Sequence, residues 1–182
     1  MYFKNMQRIY GEKFSQDIDD AFHQWFPNGA NGKERANQMV EQDTIKLLRE
    51  CDAGVQMGIS SIDDVLGSVR SDGLKRRLSD CKVEHERLDR EIQGLLKQYH
   101  DDGKEPNPMA KGMSWIKTNM KLAMDGSDGT VADLMTDGCN MGVKSLNQYL
   151  NQYKAADERS KDVAKRLINL EEKLAVDIRQ FL

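Results

Sequence analysis

The sequence predicts an all-α protein: an antiparallel four-helix bundle of two duplicated helical hairpins joined by a long crossover, preceded by a short N-terminal amphipathic helix. A repeat is the first reason. Cys51-Asp52-Ala53-Gly54-Val55-Gln56 returns as Cys139-Asn140-Met141-Gly142-Val143-Lys144 at an offset of 88, and the segment from Leu88 to Leu96 returns as Leu174 to Leu182 at an offset of 86. Nearly equal offsets on two separate helical patterns indicate that one hairpin was copied. A heptad seam is the second reason: Leu74, Leu78, Cys81, His85, Leu88, Ile92 and Leu95 alternate spacings of four and three, the pattern that keeps one helix face against a partner. The third is the long connection over residues 101–127, a length that suits a return along a helix of about 26 residues, or about 39 Å.

The elements follow in order. Phe14, Ile18, Ala21, Phe22 and Trp25 draw one apolar stripe on a helix from about Lys13 to Phe26, expected to dock on the main core or on a second subunit. Pro27 and the Asn28-Gly29 and Asn31-Gly32 pairs are read as a turn that ends it, so residues 1–42 form an N-terminal extension and residues 43–182 the bundle. A helix from about Thr44 to Arg70, capped by Asp43, presents Leu48, Cys51, Val55, Ile62, Val65 and Val69 inward. Ser71-Asp72-Gly73 is the turn into the seam helix, which stops before Asp101. Within the crossover, Met109 to Met124 suits a short helix anchored by Trp115. The next helix runs from about Gly129 to Lys154 with Asp128 as cap and buries Met135, Cys139, Val143, Leu146 and Leu150. After a turn at Ala155-Ala156-Asp157 the last helix buries Leu167, Leu174, Ile178 and Phe181.

Composition narrows the function. A net charge of −3 in 182 residues and an isoelectric point near 5.7 give no basic face with which to displace counterions, so no nucleic-acid partner is expected. No apolar stretch is long enough for a signal peptide or a membrane span, which makes the cytoplasm the expected location and excludes a membrane partner. Three cysteines, Cys51, Cys81 and Cys139, fit reduced thiols there. There is no phosphate-binding glycine loop, nucleophile elbow or His-Glu-x-x-His motif.

Two hairpins joined by one crossover is the topology of the ferritin-like bundles. On Glu50-Cys51-Asp52-Ala53-Gly54, Glu84-His85-Glu86-Arg87-Leu88, the Trp115 to Gly126 crossover and Asp137-Gly138-Cys139-Asn140-Met141-Gly142, the chain resembles the ferritin-like superfamily. Within it the chain is most similar to a group of small bacterial four-helix domains of uncharacterised function. The resemblance spans about residues 44–182.

It implies a dimetal centre, which needs a carboxylate from each of two helices and a Glu-x-x-His from each of the other two. The residues do not supply one. His85 sits on the seam where a ligand histidine belongs, but Lys82 stands three positions before it; the repeat sets Glu171 at the equivalent place, and Leu174 rather than His follows three positions later. Helix faces that should add carboxylates offer Asp52 and Gln56 in one copy, Asn140 and Lys144 in the other. No catalytic residue, cofactor or metal is therefore expected. If a metal is held, its candidates are His85, Glu171, Asp52, Cys51 and Cys81, an imidazole, carboxylate and thiolate set able to take iron, manganese or zinc.

His85 and Glu171 are expected to face each other across the bundle axis as a hydrogen-bonded pair left from such a site. Cys51 and Cys139, related by the repeat, are expected to approach each other, with Gly54 and Gly142 marking close helix contact or a small void. The resulting reading is a non-enzymatic bundle with a degenerate dimetal site that binds an unidentified protein partner or assembles as a homo-oligomer, a dimer being the simplest form. The competing reading is a metal-binding ferritin-like protein, an oxidoreductase or a store, with an altered site.

Overall fold

The computed structural model describes residues 29–101 and 127–182. These residues form four α-helices: α1 (Gly29–Leu66), α2 (Asp72–Gln98), α3 (Asp128–Gln152) and α4 (Glu158–Asp177), the last followed by a 3₁₀ turn at Arg179–Phe181. The apolar stripe from Phe14 to Trp25 and the crossover segment with Trp115 lie outside the described residues. The chain divides into two compact units, Met1–Met39 and Val40–Leu182. Of the first, residues 32–39 are helical and exposed; the bundle is the second.

Side-chain pairs fix the direction of each helix. Asp52 meets Gln93, Gln56 meets Asp89 and Asp63 meets Lys82, so numbering falls along α2 as it rises along α1. Between α2 and α4, His85 meets Glu171, Glu91 meets Arg166 and Arg77 meets Asp177, again antiparallel. Gly142 lies against Glu171 and Gly129 against Phe181, which sets α3 antiparallel to α4. Gly54 lies against Leu167, and Thr44 bonds the backbone of Asp157, so α1 and α4 run parallel. The order is up, down, down, up.

The core is in two parts. Leu47, Leu48, Cys51 and Val55 of α1 pack with Leu88, Ile92 and Leu95 of α2, Leu146 of α3 and Val163, Ala164 and Leu167 of α4. Ile62 and Val65 pack with Leu74, Leu78 and Cys81, Val131, Met135 and Cys139, and Leu174 and Ile178. Each large aliphatic side chain fully removed from water contributes about 1.5–3 kcal/mol, which is what holds helices of such mixed propensity together. All seven seam positions from Leu74 to Leu95, His85 included, are buried.

Several sequence expectations are corrected. Helix α1 begins at Gly29, before the expected start at Thr44. An Asn-Gly pair costs an α-helix only about 1 kcal/mol per glycine, and the run Lys33-Glu34-Arg35-Ala36 that follows favours helix. Asp43 therefore caps no helix. Its Oδ2 accepts a hydrogen bond from the Ala155 backbone N–H (3.0 Å), and Thr44 Oγ1 accepts one from Asp157 N–H (2.9 Å). Asp128 is not the cap of α3 either; Ser127 is, and Asp128 Oδ1 and Oδ2 accept from the backbone N–H groups of Arg70 and Ser71, both at 2.8 Å. Ser71 is the N-cap of α2 rather than a turn residue. Cys51 and Cys139 fall in separate parts of the core and do not approach as expected.

The two aspartates make one reciprocal clasp. From the first helix of each hairpin, Asp43 inside α1 and Asp128 at the start of α3, a carboxylate binds the backbone of the turn inside the other hairpin. Replacing Asp128 by Ala leaves two turn N–H groups without their acceptor and is expected to cost about 1–2 kcal/mol, with Asp43→Ala costing somewhat less, in urea unfolding. A change under about 0.3 kcal/mol for Asp128→Ala would show that water replaces the clasp at no cost.

Candidate functional site

Between the two apolar clusters lies one polar layer. Its members come from all four helices: Gly58 of α1, His85 of α2, Gly142 of α3 and Glu171 of α4. His85 is 1% exposed and the Glu171 side chain 12%. The imidazole Nε2 lies 3.0 Å from Glu171 Oε1, and Nδ1 lies 3.0 Å from the Cys81 carbonyl oxygen one turn back and 3.5 Å from Cys81 Sγ. A carbonyl and an ionised carboxylate only accept, so each ring nitrogen donates, and the ring facing an ionised Glu171 is an imidazolium.

The titration of His85 follows. Burial alone lowers an imidazole's pKa; here the hydrogen bonds to Cys81 and Glu171, with the charge of Glu171, outweigh burial and raise it from 6.5 to about 10. Cys139 lies within reach of Glu171, and burial first and the carboxylate second raise its thiol strongly. Burial with the Glu50 and Asp52 charges pushes the Cys51 thiol up to about 12, in the other cluster.

Room for the ring comes from α1. A Cβ at position 58 would stand 2.6 Å from His85 Nε2 and 2.7 Å from Cδ2, closer than packed atoms approach, so only glycine fits while His85 keeps this rotamer. Of the two readings for the paired Gly54 and Gly142, close helix contact or a small void, close contact is corrected here: a Cβ at either would meet its nearest neighbour at 3.6 or 3.7 Å, an ordinary packing distance. Gly58 is the functional residue that sequence reading missed. Its signal was present, since Gly58 lies seven residues after Cys51 on the inward stripe of α1.

The structure thus brings together His85, Glu171 and Cys81 and adds Cys139. It leaves Cys51 and Asp52 apart: Asp52 Oδ1 accepts from Gln93 Nε2 at 2.7 Å on the α1–α2 surface. Lys82, where a dimetal site would want Glu, is paired with Asp63. Among the described residues no group of three or more His, Cys, Asp or Glu side chains has the geometry to hold a metal ion, so the residues do not fit a dimetal centre. No helix of the described residues is long and apolar enough to cross a membrane. No family model, no curated protein and no solved structure matches the chain.

Two outcomes test this geometry. Gly58→Ala should cost about 1–3 kcal/mol by overpacking, while in a His85→Ala background the same change should be neutral or stabilising, since alanine is the better helix former. Equal costs in both backgrounds would mean the ring is not what Gly58 accommodates. The second outcome concerns pH. A folded-state pKa raised to about 10 means that the proton on His85 contributes stability in full below about pH 6.5 and that the contribution is lost as pH rises through about 10. The stability difference between the wild type and the non-titrating His85→Asn variant should shrink over that window. A constant difference would show that the ring is neutral in the fold.

Proposed function

We propose that the chain is a ferritin-like bundle whose dimetal site has degenerated into a structural ion pair, and that it acts by binding a protein partner or by assembling with itself, a dimer being the expected form. The observation that carries this is the use of both nitrogens of His85 within the protein: Nε2 on Glu171 and Nδ1 on the Cys81 carbonyl, each at 3.0 Å. A ligating nitrogen must offer a lone pair, and a ring that donates twice has none. Supporting this are the up, down, down, up order, which a ferritin-like duplication implies, and the place of the polar layer between two apolar halves, where such bundles build their sites. Lys82 and Leu174 stand where Glu and His would complete the ligand set.

One observation favours the second reading, a metal-binding ferritin-like protein with an altered site. A ligand histidine is commonly held by its other N–H on a backbone carbonyl, the relation His85 Nδ1 has with Cys81, while Nε2 faces Glu171, which Cys139 also approaches. Deprotonated His85, Glu171 and Cys139 could then take zinc after side-chain rearrangement.

Elemental analysis of protein purified without chelators, alongside its mass by light scattering, separates the two. The assembly reading expects substoichiometric iron, manganese and zinc and a mass above that of one chain. Stoichiometric metal that disappears in His85→Ala overturns it in favour of the second reading, and a metal-free monomer removes self-assembly from the first.

A further inference from the structure

We propose that Cys81 is a peroxide-reactive thiol served by His85 and Glu171 at the wall of a cleft between α2 and α4. This goes beyond the assembly reading and does not depend on it. The cleft encloses about 370 Å³ and is lined by Cys81 with Arg77, Asp80, Glu84, Lys173 and Asp177 among others. Neither Cys51 nor Cys139 lines it. From the cleft inward the order is thiol, imidazole, carboxylate: Cys81 Sγ lies 3.5 Å from His85 Nδ1, and His85 Nε2 lies 3.0 Å from Glu171. That is the constellation of a nucleophile, a nitrogen partner and a group that orients and charges it. A packing cysteine requires neither the imidazole nor the opening.

The cleft also selects the electrophile. Arg77 and Lys173 are both held by Asp177, at 3.4 and 3.6 Å, and Asp80 and Glu84 add two further carboxylates. The lining is net acidic, which disfavours anionic electrophiles. Cys81 keeps only 4% of its surface exposed, which admits a molecule close to water in size. A small neutral hydroperoxide meets both conditions, hydrogen peroxide being the simplest.

In the reaction the sulfur attacks one peroxide oxygen, and the S–O bond forms as the O–O bond breaks. Sulfur is oxidised by two electrons to the sulfenic acid. The other oxygen leaves as hydroxide, takes the thiol proton and becomes water. The Nδ1–H of His85 turns toward the sulfur and stabilises negative charge on it while the proton is in transit, and Glu171 keeps the ring charged and oriented. His85 and Glu171 are positioning residues; Cys81 alone bonds to the substrate.

The experiment treats the intact native protein with limiting hydrogen peroxide, traps sulfenic acid with a cyclic 1,3-dione and maps it by mass spectrometry. Cys51 and Cys139 in the same molecule serve as controls that need no variant. Cys81 is expected to be labelled faster than either by a factor on the order of ten or more, and Glu171→Gln to lower that factor and displace its pH profile while the far-ultraviolet spectrum is unchanged. Equal labelling of the three thiols, labelling that appears only with global unfolding in denaturant, or no labelling would overturn the proposal. A neutral aromatic disulfide is the second probe. If it selects Cys81 while peroxide does not, the thiol is open but not built for peroxide, and the proposal fails.

Discussion

A charged pair buried in the middle of an apolar bundle is the constraint around which the other parts are arranged. Taking a carboxylate and an imidazolium out of water costs several kcal/mol for each ion, and their attraction repays this only when every remaining donor and acceptor is used. His85 uses both nitrogens, one on Glu171 and one on the Cys81 carbonyl. The pair also fixes helix register. Sliding α4 by one turn against α2 would set Leu167 or Ala175 opposite the ring and leave it without a partner. Gly58 shows how much is given to this layer: α1 surrenders a side chain at an inward position so that the ring has room beside it.

Away from the layer the forces are of a plainer kind. Each apolar cluster draws on all four helices, so no hairpin keeps a complete core if separated from the other. The ends are closed by carboxylates acting on backbone N–H groups, Asp43 at the turn before α4 and Asp128 at the turn before α2. Asp157 adds the N-cap of α4, accepting from Ser160 N–H at 2.7 Å, and takes the Tyr99 hydroxyl at 2.8 Å on its other oxygen. These contacts lower the pKa of Asp157 against the opposing effect of its burial. Hydrophobic burial supplies most of the energy, and polar closure at the ends and the middle selects one arrangement from the many that burial alone would permit.

Periodicity made the helices and their inward faces legible. Leu74 through Leu95 could be read because a heptad seam is a repeated local signal, and His85 stood out because it breaks that signal. The pairing of His85 with Glu171 was legible too, since the offset of the repeat relates one to the other. What failed were local rules whose partner is distant. Asp43 and Asp128 carry the chemistry of N-caps, but the N–H groups they serve lie 112 and 58 positions away in sequence. Asn31-Gly32 reads as a turn because nothing in a window of a few residues reports that α1 continues through it. Gly58 stood on the inward stripe of α1, seven residues after Cys51, but the need for its missing Cβ arises on another helix, at His85.

The sequence repeat relates His85 to Glu171, and yet the central pair is unlike rather than matched. Contacts that relate one hairpin to the other come in twos when they lie off the axis between the copies, as the reciprocal aspartate clasp does. A residue near that axis instead meets its own counterpart, and His85 and Glu171 are such counterparts. In a chain with two identical copies the same position would set imidazole against imidazole or carboxylate against carboxylate, and a buried like-charged pair forces one member to give up its charge. With Lys82 and Leu174 standing three residues from His85 and Glu171, the stable solution for two ionisable side chains at this position is one acid and one base. One acid and one base at these two positions hold each other without a bridging cation, and the missing side chain at Gly58 leaves room for the ring, beside which Cys81 Sγ lies 3.5 Å from Nδ1.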